Sequence, residues 1–406
     1  MLAIQEYISS FDNIEQANKF LEQSVSVVAK TNYIELERNK VFVYNTTKGY
    51  EETDRIIREA EGLILDTEAN VVCMYPIAPK AMTFTQLLTT NINWHLARIE
   101  EMEDGLRCAV YRWQGNWYFA TKESATARQD LEYAEKAAIV FTTVKHEMED
   151  ILRDSFGNWS AIFEGEDNPD LCFIFDFVGP STHNIRPYKN NDLVLVTVMD
   201  KRSGKEKPLE EIDEFASTYG FTRTSYNLCR NHSDALQFFN TAHPLTRGCI
   251  ITDSNGDRFL LTNPLFLALQ NAKIVENFYE KPALLPIHII KILNACRNVR
   301  ALETVCTLFP KYNPMINIFL RARADLSCAI MAKYTTDRDK LIENTNDGTL
   351  ESAAVSSVLA RISMGKNEVT TENAVKMIDP KRIITFSENK YPDYKACWEK
   401  LIAGGK

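Results

Sequence analysis

The feature that most constrains this chain is a turn followed by two strand-like runs between residues 102 and 122. The turn pair Asp104-Gly105 leads into an alternating apolar and polar run over 107–111. A second turn pair, Gln114-Gly115, then separates that run from an aromatic-rich run over 117–120. Two β-rich runs with a glycine turn between them predict a hairpin. We therefore expect antiparallel sheet structure in this part of the chain.

The composition is that of a globular protein. The chain has 406 residues, of which 45% are hydrophobic and 25% charged, and this is enough for two or three domains with their own cores. No apolar run is long enough to span a bilayer, and the first residues lack the basic and apolar regions of a signal peptide. Nine cysteines without a Cys-x-x-Cys pair indicate reduced thiols, so we expect a cytoplasmic protein.

The secondary-structure pattern changes along the chain. Up to about residue 270, helices are predicted at 13–29, 51–60, 128–152 and 209–219, and strands at 33–37, 41–44, 62–66, 71–75, 172–178, 193–198, 249–251 and 258–261. Beyond residue 271 the pattern is helical, at 282–308, 315–333, 351–364 and 373–378. This order predicts an α+β domain over residues 1–270 and a helical C-terminal domain over residues 271–406.

Five motifs, in order and with matching spacing, resemble the phage T4 RNA ligase 1 family of covalent nucleotidyltransferases. That family has Lys-x-Asp-Gly, a hairpin and then Lys-Gly-Ser, where this chain has Met102-Glu103-Asp104-Gly105 and Lys122-Glu123-Ser124. Four further motifs are similar: the upstream strands at 41–45 and 59–66, counted as one, and the stretches at 175–180, 247–251 and 259–262. The resemblance implies a nucleotidyltransferase domain of antiparallel sheets followed by a helical domain. It also implies nucleotide-binding roles for Asp104, Gly105, Lys122, Asp176 and Phe177.

The family's chemistry depends on side chains that this sequence replaces. A lysine amine attacks the α-phosphate of ATP, carboxylates hold the metal or orient the amine, and a lysine pair stabilises phosphoryl charge. Met102 replaces the nucleophilic lysine, Glu61 replaces an arginine, and Arg247 replaces a carboxylate. Leu260 and Thr262 replace the lysine pair. We therefore predict a catalytically inactive pseudo-ligase with no cofactor and no metal; ATP and Mg²⁺ are expected only if the family activity is retained. We further expect Arg247 to pair with Asp176 or Glu61, which would close the cleft.

Three functions remain open at this point. The first is a pseudoenzyme that binds RNA or protein, and the second is an active ATP-dependent RNA ligase that uses Lys80 or Lys122 as its nucleophile. The third is a structural or assembly protein. The net charge of −14 over residues 1–270 counts against RNA binding there, whereas residues 271–406 have a net charge of +5 and a basic cluster that is either a solvated helical face or an RNA-binding surface. Its candidate basic residues are Lys291, Arg297, Arg300, Lys311, Arg321 and Arg323.

The resemblance implies that these basic residues bind a structured RNA such as tRNA. It also suggests that the protein comes from a phage. Two further sets of residues give weaker signals. The aromatic residues Trp113, Trp117, Tyr118 and Phe119 could stack a base, although their alternation favours packing in a half-buried sheet. A zinc site would need Cys229, His232, His243 and Cys249, but their spacing fits no compact zinc motif.

Overall fold

The structure is a computed structural model, and it places most of the chain in two compact units. The residues it describes are 2–34, 39–46, 55–66, 71–75, 79–135, 138–164, 170–182, 184–272, 284–336 and 378–403. The first unit is Met1–Asn263 and the second is Pro264–Lys406. Within the described ranges, no helix has both the length and the apolar character needed to cross a membrane.

All strands among the described residues lie in the first unit. In chain order they are β1 (Val27–Ile34), β2 (Asn39–Thr46), β3 (Ile64–Asp66), β4 (Val72–Met74), β5 (Lys80–Met82), β6 (Ala97–Met102), β7 (Leu106–Trp113), β8 (Asn116–Thr121), β9 (Asp130–Glu135), β10 (Ala138–Thr143), β11 (Leu171–Val178), β12 (Asp192–Asp200), β13 (Lys205–Glu206), β14 (Thr222–Arg223), β15 (Tyr226–Cys229), β16 (Gly248–Thr252) and β17 (Arg258–Thr262).

The helices occur in both units. Those of the first unit are α1 (Ala3–Ser9), α2 (Ile14–Phe20), α3 (Arg55–Ala60), α4 (Phe84–Thr89), α5 (Val144–Phe156), α6 (Leu209–Tyr219) and α7 (His232–Thr241). Those of the second unit are α8 (Pro264–Asn271), α9 (Leu285–Ala295), α10 (Val299–Leu308), α11 (Asn313–Thr336), α12 (Pro380–Lys390) and α13 (Tyr394–Ala403). The helices expected at 351–364 and 373–378 fall outside the described residues, apart from residue 378.

The strands form predominantly antiparallel sheets. One sheet has four strands in the order β1-β2-β3-β4, and a second has five in the order β15-β6-β16-β17-β5. A third has six strands, with the order β13-β12-β11-β7-β8 and with β14 beside β12, while β9 and β10 pair as a separate hairpin. These sheets together with the helices confirm the predicted α+β class.

The six-stranded sheet is the central layer of the first unit, because its strand β11 is buried on both faces. All eight residues of β11 are buried. Cys172 and Ile174 pack into a core with the four-stranded sheet, whereas Phe173 and Phe175 pack into a core with α5 and α6. Side chains alternate between the two faces of a strand, so these cores lie on opposite sides of the sheet. We call the Ile174 side the inner face and the Phe173 side the outer face.

The hairpin predicted between residues 107 and 120 is confirmed. β7 and β8 pair antiparallel from Cys108 opposite Thr121 to Trp113 opposite Asn116. Gln114 and Gly115 form the turn with φ values of 46° and 85°. Two positive φ values in a two-residue loop match the right-handed twist of the strands, and Gly115 adopts its value without strain.

Two predicted helices are wrong in their extent. The helix predicted at 128–152 is a β9–β10 hairpin followed by α5, which begins after Thr143, whose hydroxyl accepts a hydrogen bond from the His146 N–H at 3.2 Å. The helix predicted at 13–29 ends in a π-helical turn at Val25. Ser26 then adopts a left-handed conformation with φ 62°, and the β-branched residues that follow begin β1.

Candidate functional site

The candidate site lies on one face of the five-stranded sheet, where β6, β16 and β17 are aligned. Their register places residues in three successive rows: Met102, Gly248 and Thr262; Glu100, Ile250 and Leu260; Arg98, Thr252 and Arg258. The intervening apolar residues of these strands belong to a core on the opposite face. The three rows therefore share one face, and they contain three of the positions at which the sequence departs from the ligase pattern.

Met102 lies in an apolar cluster. Its side chain packs with Ile250 and Leu260, and these residues are exposed by 8%, 2% and 7%. The backbone at this position is fixed as well, because the Thr246 hydroxyl and the Arg247 N–H both donate hydrogen bonds to the Met102 carbonyl, at 2.8 and 3.2 Å. Hydrocarbon and thioether groups thus occupy the positions at which the resemblance implies lysine amines.

The loop that follows Met102 is held by two residues that the sequence analysis did not single out. Arg186 Nη1 and the Tyr188 hydroxyl both donate to Glu103 Oε2, at 2.6 and 2.7 Å. The Arg186 backbone N–H donates to Asp104 Oδ2 at 3.0 Å. Burial raises the pKa of Asp104, although the N–H groups of Arg186 and Ile185 and the positive charge of Arg247 oppose that rise.

The same loop joins the two larger sheets. It connects the end of β6 in the five-stranded sheet to the start of β7 in the six-stranded sheet. At Gly105 a Cβ would lie 2.8 Å from the carbonyl oxygen of Phe177 and 2.8 Å from Val178 Cγ1, so only glycine fits. The Asp104-Gly105 pair therefore lies directly against the end of β11, close to Asp176.

Asp176 is held by Arg107, which stands opposite it in the β7–β11 pair. Arg107 Nε lies 2.6 Å from Oδ1 and Nη2 lies 3.2 Å from Oδ2, so the contact engages both carboxylate oxygens. The guanidinium charge opposes a divalent cation at this carboxylate. These residues do not fit the Mg²⁺ site that the resemblance implies. Phe177 points to the outer face and is fully buried in the core there.

Glu61 forms an ion pair with Lys122. Glu61 is buried directly after α3, whereas the Lys122 side chain is 44% exposed just after β8. The expectation that Arg247 pairs with Asp176 or Glu61 is wrong, because these carboxylates are paired with Arg107 and Lys122. The positive charge of Arg247 instead acts to lower the pKa of Asp104. The reason is strand register, which places Arg107 and not Arg247 opposite Asp176.

The third row contributes to a buried charge network between the two larger sheets. Arg98 Nη2 lies 2.6 Å from both carboxylate oxygens of Glu206, and Arg98 Nε lies 3.2 Å from Glu100 Oε2. Arg258 Nη2 lies 3.7 Å from the same Glu100 oxygen, and the Thr197 hydroxyl donates to Glu206. This network was not predicted from the sequence. The one feature of the sequence that points to it is Arg258, an arginine at the start of the largely apolar strand β17.

Burial and charge act in opposite directions on this network. Burial alone would raise the pKa of Glu206, but the positive charges of Arg258 and Arg98 lower it below its usual value. Burial lowers the pKa of Arg258, which is fully buried, while Glu206 and Glu100 oppose that change. Each charge is therefore stabilised by its opposite partners and would be costly to leave alone.

The remaining candidates do not converge on this site. His232 packs its ring against Trp94, His243 Nδ1 accepts the Leu245 N–H, and Cys229 and Cys249 are buried. Among the described residues, no group of three or more histidine, cysteine or acidic side chains is placed to hold a metal ion. Lys80 lies in β5 opposite Phe259, on the far side of β17 from β16.

The basic residues of the second unit are distributed over α9, α10 and α11 and the connections between them. Lys291, Arg300 and Lys311 are exposed. Arg321 is paired with Asp393 at 2.8 Å, and its guanidinium lies 4.8 Å from the ring centroid of Tyr391. Among the candidate RNA-binding residues, Arg321 thus has a structural role, because it links α11 to the residues just before α13.

Comparison with known proteins gives a structural likeness only. An archaeal ATP-dependent RNA ligase (form 2) matches with a TM-score of 0.50 and 10% identity, over 80% of this chain and 83% of that one. The chain has a ligase-like nucleotidyltransferase fold. Form 1 of the archaeal RNA ligase matches with a TM-score of 0.48 and 12% identity, over 78% and 79% of the two chains. No family model and no curated protein sequence matches.

Proposed function

We propose that this chain is a ligase-like pseudoenzyme that binds RNA and does not form the lysyl–AMP intermediate. The observation that carries the proposal is the apolar cluster of Met102, Ile250 and Leu260. A thioether has no N–H and cannot form a phosphoramidate with AMP. The absence of a cation at position 260 also removes charge that would stabilise a developing phosphoryl anion.

The two lysines that could replace the nucleophile are poorly placed for that role. The attacking amine has to be neutral, and its pKa is lowered by cationic neighbours or by desolvation. Lys122 is instead half exposed and ion-paired with the Glu61 carboxylate, which is the opposite of a desolvated amine beside a cation. Lys80 is separated from Met102 by β17 and β16 in the five-stranded sheet. Neither environment supports an alternative active ligase.

We expect no covalent AMP on the purified protein after incubation with ATP and either Mg²⁺ or Mn²⁺, as measured by intact mass. The Met102→Lys variant is expected to give the same result, because Leu260 and Thr262 carry no charge and Arg107 neutralises Asp176. An active ATP-dependent RNA ligase in parallel reactions is the positive control. An AMP adduct on the unmodified chain would establish an active ligase, and an adduct on Met102→Lys alone would show that the rest of the site is intact.

RNA binding is proposed to involve the second unit, whose exposed basic residues include Lys291 and Arg300. We expect the double variant Lys291→Ala/Arg300→Ala to bind a folded RNA such as tRNA more weakly than the unmodified protein. The slope of the logarithm of the binding constant against the logarithm of the salt concentration should also become shallower, by roughly one unit for each phosphate that the variant no longer neutralises. Filter binding at several salt concentrations measures both quantities. Lys395→Ala removes an exposed lysine outside the candidate cluster and is the control. If no salt-sensitive binding is found, a structural or assembly role becomes the better proposal.

A further inference from the structure

The first unit has a second concave site, on the outer face of the six-stranded sheet. It is a pocket of about 420 Å³ between the β7–β8 hairpin, the start of α5 and the segment Trp159–Phe163. Trp117 and Phe119 line it and belong to the outer core, whereas Asp176 and Arg107 lie on the inner face. The pocket and the ligase-like cleft therefore use opposite sides of one sheet.

The floor of this outer pocket is aromatic. Trp117, Phe119 and Trp159 all line it, and the rings of Phe119 and Trp159 lie 4.7 Å apart between centroids, inclined by 43°. Trp117 also packs against Phe163 at 5.6 Å. Both tryptophans are only half-buried, so each leaves part of its indole uncovered. Partly uncovered indoles that are fixed by neighbouring rings form a rigid platform for a planar ligand.

The rim of the pocket carries both kinds of charge. Lys145 and Glu149 are ion-paired along α5 at 3.5 Å and largely neutralise each other. Arg128 and Glu164 are exposed on the rim, and within the described part of the chain neither has an ion-pair partner. An unpaired cation and an unpaired carboxylate beside an aromatic floor are complementary to a ligand that has a ring, hydrogen-bond donors and an anionic group.

We propose that the outer pocket binds one nucleotide unit, with its base stacked on the tryptophans and its phosphate at Arg128. Ring or exocyclic N–H groups of the base would donate to Glu164, since an ionised carboxylate only accepts. A ligand without a ring would leave the indoles uncovered, and a ligand without an anion would leave Arg128 unpaired. The volume lies within the usual range for small-molecule sites. The unit could be a free mononucleotide or part of a single-stranded RNA, which present the same chemistry here.

The test measures AMP and GMP binding by calorimetry, and the binding of a labelled single-stranded RNA of about eight nucleotides by anisotropy, a length within the range of known strand-binding sites. Arg128→Glu reverses the charge of an exposed residue, and we expect it to weaken binding roughly tenfold or more at low salt. Arg153→Glu, on α5 but outside the pocket, is the matched control and should change binding less than about twofold. Trp159→Ala should weaken binding roughly tenfold or more, because it removes one of the two indoles on which the base stacks.

Binding of mononucleotides and of RNA would identify a nucleotide site, while binding of RNA alone would identify a strand site; both results support the proposal. Two results overturn it: no binding of any of these probes at millimolar concentration, or equal losses in Arg128→Glu and Arg153→Glu. The proposal does not depend on the pseudo-ligase assignment, because an AMP adduct in the cleft would leave the Arg128 comparison unchanged.

Discussion

Replacing Arg258 by methionine is expected to lower the free energy of unfolding of the first unit by about 3–5 kcal/mol. Arg258 is fully buried between Glu100 and Glu206. Methionine keeps an unbranched apolar stem in place of the arginine stem, so the main loss is that of the charged guanidinium. Two carboxylates would then share Arg98 as their only cation in the network, and an uncompensated buried charge is strongly destabilising. Urea unfolding followed by tryptophan fluorescence measures the change.

The double variant Arg258→Met/Glu100→Gln provides the matched comparison. It removes one positive and one negative charge that lie 3.7 Å apart, so the network remains balanced. We expect it to recover most of the stability lost in Arg258→Met, which gives a coupling energy in a double-mutant cycle. Equal stability of the single and double variants would mean that these charges do not interact as the distances indicate.

The pH dependence of this network has a definite sign. Because the folded-state pKa of Glu206 is lowered, its contribution is fully present above its ordinary pKa of 4.5 and is lost as the pH falls through the lower folded value. The unmodified protein should therefore lose stability in acid below about pH 4.5. In Arg258→Met one stabilising cation is absent, so the same loss should begin at higher pH.

The second large effect is expected at the ion pair between Arg107 and Asp176. Arg107→Met leaves the nearly buried carboxylate of Asp176 without its cation, and we expect a loss of about 3 kcal/mol. Asp176→Asn should recover most of this loss in the Arg107→Met background, because the amide carries no charge. If Arg247 could take over the pairing, Arg107→Met would change the urea midpoint little, and that result would contradict the pairing of Arg107 with Asp176.

The elements that could be predicted from the sequence are those specified by local patterns. The β7–β8 hairpin has a turn pair of the expected type between two strand-like runs, and β11 is a continuous apolar run typical of a buried strand. The hairpin at Asp130–Thr143 is not predicted, because alanine, glutamate and lysine are common in its sequence and favour helices, while strand pairing overrides that preference.

The ion pairs of the site could not be predicted because they depend on distant register. Arg107 is visible next to the Asp104-Gly105 turn, yet its partner lies 69 residues away and is fixed only when β7 pairs with β11. Arg98 and Glu206 are separated by 108 residues and meet across two sheets. Spacing along a chain carries no information about which carboxylate an arginine will meet after the sheets pack.

The apolar cluster also determines how a nucleotide-transfer activity could be selected in this scaffold. Met102, Ile250 and Leu260 contact one another, so substitutions among them are epistatic and their effects do not add. A lysine placed at 102 alone meets Leu260, and a lysine placed at 260 alone meets Met102 and Ile250, so each single step puts an amine against hydrocarbon. A library that varies these positions one at a time would pass only through destabilised variants. A library that randomises them together, with Thr262, can reach a charged and solvated arrangement in a single round.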